Sequence, residues 1–248
     1  MIKCKGKSCL VFITQRLDGD MKKYLQYLKC EMEGVMDIWL LYDSSLGNYK
    51  EDEMLGISCY QYPFHTLDNF FHQGNPLLHN PLLALLKFIE SHEYDNYLLM
   101  ENDIVLNGSF AELARKLTFD EKVDYVHIAT DILGGSHAHW PIKLIKDNPF
   151  PMLYFAWSQL VYASKRFLEA VRDFIQVNNT FFYEFLLPTI AYNKGFRVRQ
   201  FENYGYRFCL SWGPAEEFEN AYLYDRQPNT FYHPIKNLGI VDIDNRMI

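Results

Sequence analysis

Little in this sequence suits a membrane span, a nucleic-acid groove or a disulfide framework. No apolar run approaches the roughly 18 residues that a spanning helix needs. Lysine and arginine number 24 against 31 aspartates and glutamates, a formal net charge of −7, and the basic residues form no block. Extended nucleic-acid binding depends on a positive stripe that displaces counterions, so nucleic acid is not an expected partner. The five cysteines, Cys4, Cys9, Cys30, Cys59 and Cys209, are odd in number, widely scattered and without a C-x-x-C pair. That argues against a disulfide framework and a cysteine-rich zinc site. Ahead of Ser8 the chain reads MIKCKGK, and the apolar run after it is too short and too β-like for a signal peptide. The expected location is the cytoplasm.

What remains is an ordinary soluble composition. With 248 residues, 49% apolar and 22% charged, the chain can bury one large core or two tightly joined lobes. Aromatic residues reach 17%, which builds a bulky core and is also compatible with a sugar ligand, whose C–H face packs on rings. An acidic protein can still hold an anionic small molecule when a metal ion stands between them.

The order of elements indicates a parallel α/β sheet with helices on both faces. SCLVFIT, Ser8 to Thr14, reads as a buried strand, and the following DGDMKKYLQYLKCEME places Met21, Tyr24, Leu25 and Leu28 on one helical face, with Asp18 or Asp20 as cap. DIWLLYD and SCYQYPF are two further strands. In NPLLALLKFIESHEY, Asn80 suits the cap and Pro81 the first helical position. NYLLMENDIVLNG reads as the next strand, then SFAELARKL as a helix with Ser109 and Glu112 in a capping box. Beyond it, VDYVHIA is a strand, SQLVYASKRFLEAVRDFIQ a strand running into a helix, and YEFLLPTIAYNKGFRVRQF a helix interrupted or bent at Pro188, closed by Gly195 and followed by a strand. No repeat or flexible linker separates the halves, so one core with a soft boundary near Gly108 is expected.

In such sheets ligands gather at the carboxyl ends of the strands. Thr14, Asp43 and the pair Glu101–Asp103 all fall there. A carboxylate buried without a partner is costly. Glu101 and Asp103 are two apart, share a face in a regular strand, and could hold one divalent cation. Oxygen ligation suits magnesium or manganese. The competing reading is a solvated turn, against which the apolar runs on both sides of Glu-Asn-Asp count.

With these residues in this order, the chain resembles the GT-A class of nucleotide-sugar glycosyltransferases, from about Ser8 to about Asn237. The resemblance implies a single α/β domain with a mostly parallel nucleotide-binding sheet: a nucleotide-sugar-binding half (1–108) and a mixed acceptor-binding half (109–248). It implies that Asp103, Glu101 and His233 of TFYHPIKN bind Mn2+ or Mg2+, with Glu101 also reaching ribose or a metal-bound water. Thr14 and Asp43 would contact the nucleotide and Lys236 the phosphates. Glu184, near the start of an acceptor-side helix, would be the catalytic base if inversion occurs. The first position of the acidic motif is more often Asp; here it is Glu101. The implied partners are a UDP- or GDP-linked sugar donor and a glycan or lipid-linked sugar acceptor.

Rival readings keep the same sheet. A nucleotidyltransferase also uses metal-binding carboxylates, but no glycine-rich phosphate loop or basic signature follows the first strand. A non-catalytic carbohydrate-binding protein is the other, since fold alone does not settle function. His65, His72 and His79 recur every seven residues but are separated by Gly74 and Pro76. His137 and His139 could grip zinc but lack a third ligand. Trp140 suits an acceptor pocket, and Trp157 and Trp212 suit packing or a sugar platform. The YASKRF region, with Arg197 and Arg199, reads as a solvated face or a contact for a peripheral membrane surface or anionic acceptor.

Overall fold

The computed structural model describes residues 7–48, 56–63, 80–120, 122–132, 145, 148–176, 182–210 and 213–243, with only the backbone at 80 and 130–132. His65, His72, His79, His137, His139, Trp140 and Trp212 lie outside the described residues.

Strand β1 (Ser8–Thr14) has every residue buried, as its unbroken apolar run requires of a central strand. Helix α1 (Gly19–Met32) follows. Asp18 is its cap, accepting from Met21 N at 3.0 Å, and Met21, Tyr24, Leu25 and Leu28 are buried together with Tyr27 and Met32. Next come β2 (Asp37–Asp43), β3 (Ser58–Tyr62), α2 (Asn80–Ser91) and β4 (Asn96–Glu101). The stretch NYLLMENDIVLNG forms two strands in two sheets, with β4 ending at the acidic motif as expected. Asn102 and Asp103 turn the chain out of the main sheet, and β5 (Val105–Asn107) joins another.

Helix α3 (Phe110–Phe119) starts at Ser109, whose hydroxyl accepts from Glu112 N at 3.2 Å. It leads to β6 (Tyr125–His127), β7 (Thr130–Ile132), β8 (Tyr154–Ala156), β9 (Leu160–Ser164) and α4 (Lys165–Ile175). Of the interruption or bend expected at Pro188, helix α5 (Tyr183–Asn193) excludes the interruption, running through the proline as one element. Proline there removes one helical hydrogen bond, and the helix is held by burial of every residue from Tyr183 to Ala191. It ends near Gly195, whose φ of +70° is a left-handed turn that glycine adopts without steric penalty. Last come β10 (Val198–Gln200), β11 (Arg207–Leu210), α6 (Ala215–Tyr224) and β12 (Thr230–His233).

The main sheet has seven strands in the order β10-β6-β9-β4-β1-β2-β3. All its pairings are parallel except those of β9, which is antiparallel to both β4 and β6. Side chains alternate across β1: Leu10 and Phe12 enter a core with α1 and α3, while Cys9, Val11 and Ile13 enter a second core with α2, α4 and α5. Each core draws residues from both sides of Gly108. A smaller sheet, β11-β12-β5, lies where the chain leaves β4. Among the described residues, no helix is long and apolar enough to cross a membrane, and Cys9, Cys30, Cys59 and Cys209 are free thiols.

Candidate active site

The carboxyl ends of β1, β2 and β4 come together because these strands are parallel and in close register, with Ile13 opposite Glu101 and Thr14 opposite Tyr42. A cleft of about 370 Å³ opens there, lined by Thr14, Asp43, Glu101, Asp103, Tyr183 and Lys236 among others. A larger groove, about 960 Å³, lies at the amino ends of β2 and β3 beside Asp37 and Ser58. It contains none of the clustered acids, so the smaller cleft is where chemistry is to be sought.

Glu101 is the last residue of β4 and Asp103 sits two further on, in the turn, so strand alternation does not align them as the spacing suggested. The turn itself does, and three bonds hold it. Asn102 Nδ2 donates to Thr14 Oγ1 at 2.9 Å, Ile235 N donates to Asp103 O at 2.8 Å, and Tyr24 OH donates to Ile104 O at 2.8 Å. The small sheet supplies the remaining side chains. Because β12 pairs antiparallel with β5, its end carries His233 to the acidic turn.

Ligand atoms of Glu101, Asp103 and His233 all lie within 4.8 Å of one another. His233 Nε2 is 3.2 Å from Asp103 Oδ1 and 3.7 Å from Glu101 Oε2. The first contact has ion-pair distance without hydrogen-bond alignment, and the buried Asp103 Oδ1 has no hydrogen-bond partner. Lys236 Nζ pairs with the other oxygen, Oδ2. Burial by itself would raise the Asp103 pKa, but His233 and Lys236 outweigh it and bring the carboxyl down to about 2. Burial would likewise disfavour a charged His233, yet Asp103 and Glu101 prevail and lift it to about 9. Two carboxylate oxygens, one of them the unsatisfied Asp103 Oδ1, and an imidazole that would ligate once its proton is displaced fit a Mn2+ or Mg2+ ion.

The other expected site residues are placed as follows. Thr14 lines the cleft, but its hydroxyl is engaged, accepting from Asn102 and Arg16 N and donating to Arg16 O. Asp43 lines the cleft and also caps the next 3-10 turn, accepting from Ser45 N at 3.0 Å and Ser45 Oγ at 2.6 Å. Lys236 is 58% exposed at its side chain and stands at the cleft. Glu184 is 1% exposed, in the first turn of α5 behind Phe182 and Tyr183, and is not among the cleft's lining residues. Its Oε1 accepts from Gln159 Nε2 at 2.8 Å, while Oε2 is buried without a hydrogen-bond partner. Burial first, and the charge of Glu101 second, push its pKa up to about 8.

Three participants were not read from the sequence: Asn102, Gln159 and Tyr183. Asn102 stood in plain view as the middle of Glu-Asn-Asp. Gln159 and Tyr183 carry no local signal, because only the pairing of β9 with β4 and the docking of α5 bring them in. Trp157 packs edge-on against Phe155, with ring centroids 5.5 Å apart, as ordinary packing would have it. In the YASKRF region, Ser164 caps α4 and Arg166 is paired to the buried Asp124.

No protein-family model matches the chain, and no curated protein matches it by sequence. Solved structures do. The galactosyltransferase LgtC, determined with donor and acceptor sugar analogues, aligns over 96% of this chain and 93% of its own, at 10% identity and a TM-score of 0.51. The mannosyltransferase PcManGT from Pyrobaculum calidifontis, determined with GDP-Man and Mn2+, aligns over 79% of this chain and 55% of its own, at 9% identity and a TM-score of 0.46. A CMP:2-keto-3-deoxy-manno-octonic acid synthetase complexed with CTP aligns over 78% and 88%, at 12% identity and a TM-score of 0.41. At such identities the likeness concerns the fold, and it extends through both halves: the chain has the GT-A-type architecture that its order of elements led us to expect.

Proposed function

We propose that this protein is a glycosyltransferase that moves a monosaccharide from a UDP- or GDP-linked donor to a hydroxyl of a glycan or lipid-linked sugar, with Mn2+ or Mg2+ as cofactor. The observation that carries the reading is the meeting of Glu101, Asp103 and His233 beside a cleft on the carboxyl edge of the sheet, which Glu101 and Asp103 line. The cation, held by these three, would supply charge neutralisation for the departing diphosphate. Lys236 adds a positive charge that can turn from Asp103 to a phosphate oxygen, since its stem is exposed. Asp43 and the backbone around Thr14 form the wall for base and ribose. Glu184 is the candidate for proton transfer at the acceptor hydroxyl, and a carboxyl whose pKa lies near 8 is a stronger base, once ionised, than an ordinary one. Its burial requires that the first turn of α5 or the Ser158–Gln159 segment shift before an acceptor reaches it. The working location is cytoplasmic, and peripheral membrane contact would follow from a lipid-linked acceptor.

The test is thermal unfolding with UDP, GDP and CMP, each with and without Mn2+. A ligand at a hundred times its Kd stabilises by about 2.7 kcal/mol, which for a domain of this size moves the midpoint by about 5–10 °C. A shift with UDP or GDP that grows with Mn2+ supports the reading and identifies the base. No shift with any nucleotide rejects it.

A further inference from the structure

The first turn of α5 touches the acidic motif itself. The Tyr183 hydroxyl donates to Glu101 Oε1 at 2.9 Å, and Tyr183 is only 6% exposed. The other oxygen, Oε2, is then the one 3.7 Å from His233 Nε2. Glutamate has one more side-chain torsion than aspartate. In the first position of a metal-binding pair it can therefore place its oxygens over a wider range, and its orientation must come from outside. The backbone of Glu101 is already fixed, its N–H donating to Gln159 O at 3.0 Å. Tyr183 fixes the far end. Its ring packs edge-on against Phe182 with centroids 4.9 Å apart, at the start of a helix buried along nearly its whole length.

We propose that Tyr183 is a positioning residue that locks the side chain of Glu101, so that Glu101 Oε2 is aimed at the cation position shared with Asp103 and His233. The inference rests on the metal centre of the function proposed above and deepens it by adding a tyrosine that orients a ligand. Hydrogen bonds to ligating carboxylates set ligand geometry, and losing such a partner weakens a metal site by about 10- to 100-fold. The tyrosine also joins the two halves of the chain at the site, because it stands beside Glu184 on α5 while Glu101 ends β4.

The experiment measures Mn2+ binding by electron paramagnetic resonance of the free ion, on wild type and Tyr183→Phe, with circular dichroism at the same temperature to establish that both are folded. The substitution removes one oxygen and keeps the ring that packs on Phe182. The expected result is a Kd for Mn2+ raised about tenfold or more in folded Tyr183→Phe, with an altered signal of the bound ion as Glu101 reorients. A hydrogen bond that only stabilised the fold would leave the Kd of a still-folded variant unchanged, and that result overturns the proposal. Wild type that binds no Mn2+ overturns the metal centre and this role with it. Wild type that binds Mn2+ but transfers no sugar removes the proposed function and leaves the role of Tyr183 to be decided by the Kd.

Discussion

His233 Nε2 lies 3.2 Å from Asp103 Oδ1 because β12, which ends at His233, pairs with β5, the strand that begins just past Asp103. The acidic turn and the imidazole are thus two corners of one small sheet. Lys236 closes on the same aspartate from just beyond the strand. Asp103 is the residue on which both cations converge, and the first prediction concerns it.

Asp103→Asn keeps the volume and removes the charge. Sugar transfer from the active donor should fall by at least about 100-fold, the loss typical of a removed electrostatic element in an active site. The extra stabilisation that Mn2+ gives to nucleotide binding should vanish with it. Turnover by product analysis and unfolding midpoints with nucleotide and Mn2+ check both, and near-normal turnover would sink the assignment.

Glu184 makes a signed prediction about pH. Its folded pKa, about 8, stands above the 4.5 of an unperturbed glutamate, chiefly through burial. The folded state therefore keeps a proton that the unfolded chain gives up, and the associated stability is full below pH 4.5 and lost as pH rises toward 8. Glu184→Gln removes that dependence while still accepting from Gln159. Urea unfolding at pH 5, 6.5 and 8 should show a wild-type decline that the variant lacks. Identical slopes would contradict the burial account.

Asp124 tests a contact remote from the cleft. Its buried carboxylate receives Arg166 Nε at 2.6 Å, Ser164 Oγ at 3.0 Å and Arg197 N at 3.0 Å, tying α4 and the approach to β10 to β6. Burial would raise its pKa, but Arg166 and the other donors hold it below the usual value. A lowered carboxyl contributes stability that is present above pH about 4 and lost as pH falls through the folded value. Asp124→Ala should cost about 2 kcal/mol at pH 7, the scale of hydrogen bonds to a charged group, and less at pH 3. The Mn2+-dependent nucleotide shift should be unchanged. Chemical denaturation at both pH values decides, and a variant as stable as wild type at pH 7 would remove the role.

Where local physics dominates, the sequence was readable. The run at Ser8–Thr14 reads as a buried strand, and the caps Asp18 and Ser109 are side chains that bond their own helix starts. The acidic pair stood out because carboxylates at the end of a core strand are costly without a partner. Less was legible where partners are remote. The split of Tyr97–Gly108 into two sheets depends on β12 being available to pair with Val105–Asn107. The continuous α5 depends on burial around Pro188 overriding a local helix breaker.

By itself the sequence determined the alternation of strands and helices, the carboxyl-edge placement of Thr14, Asp43 and Glu101, and the clustering of two acids at the end of a core strand. These follow from periodicity, capping and the cost of buried charge, which act over a few residues. Tertiary structure alone decided that β9 enters the sheet antiparallel, that His233 and Lys236 reach Asp103, that Thr14 is spent on Asn102, and that Tyr183 is bonded to Glu101. Those contacts join residues far apart in the chain, and their energies exist only after the sheets and α5 have packed.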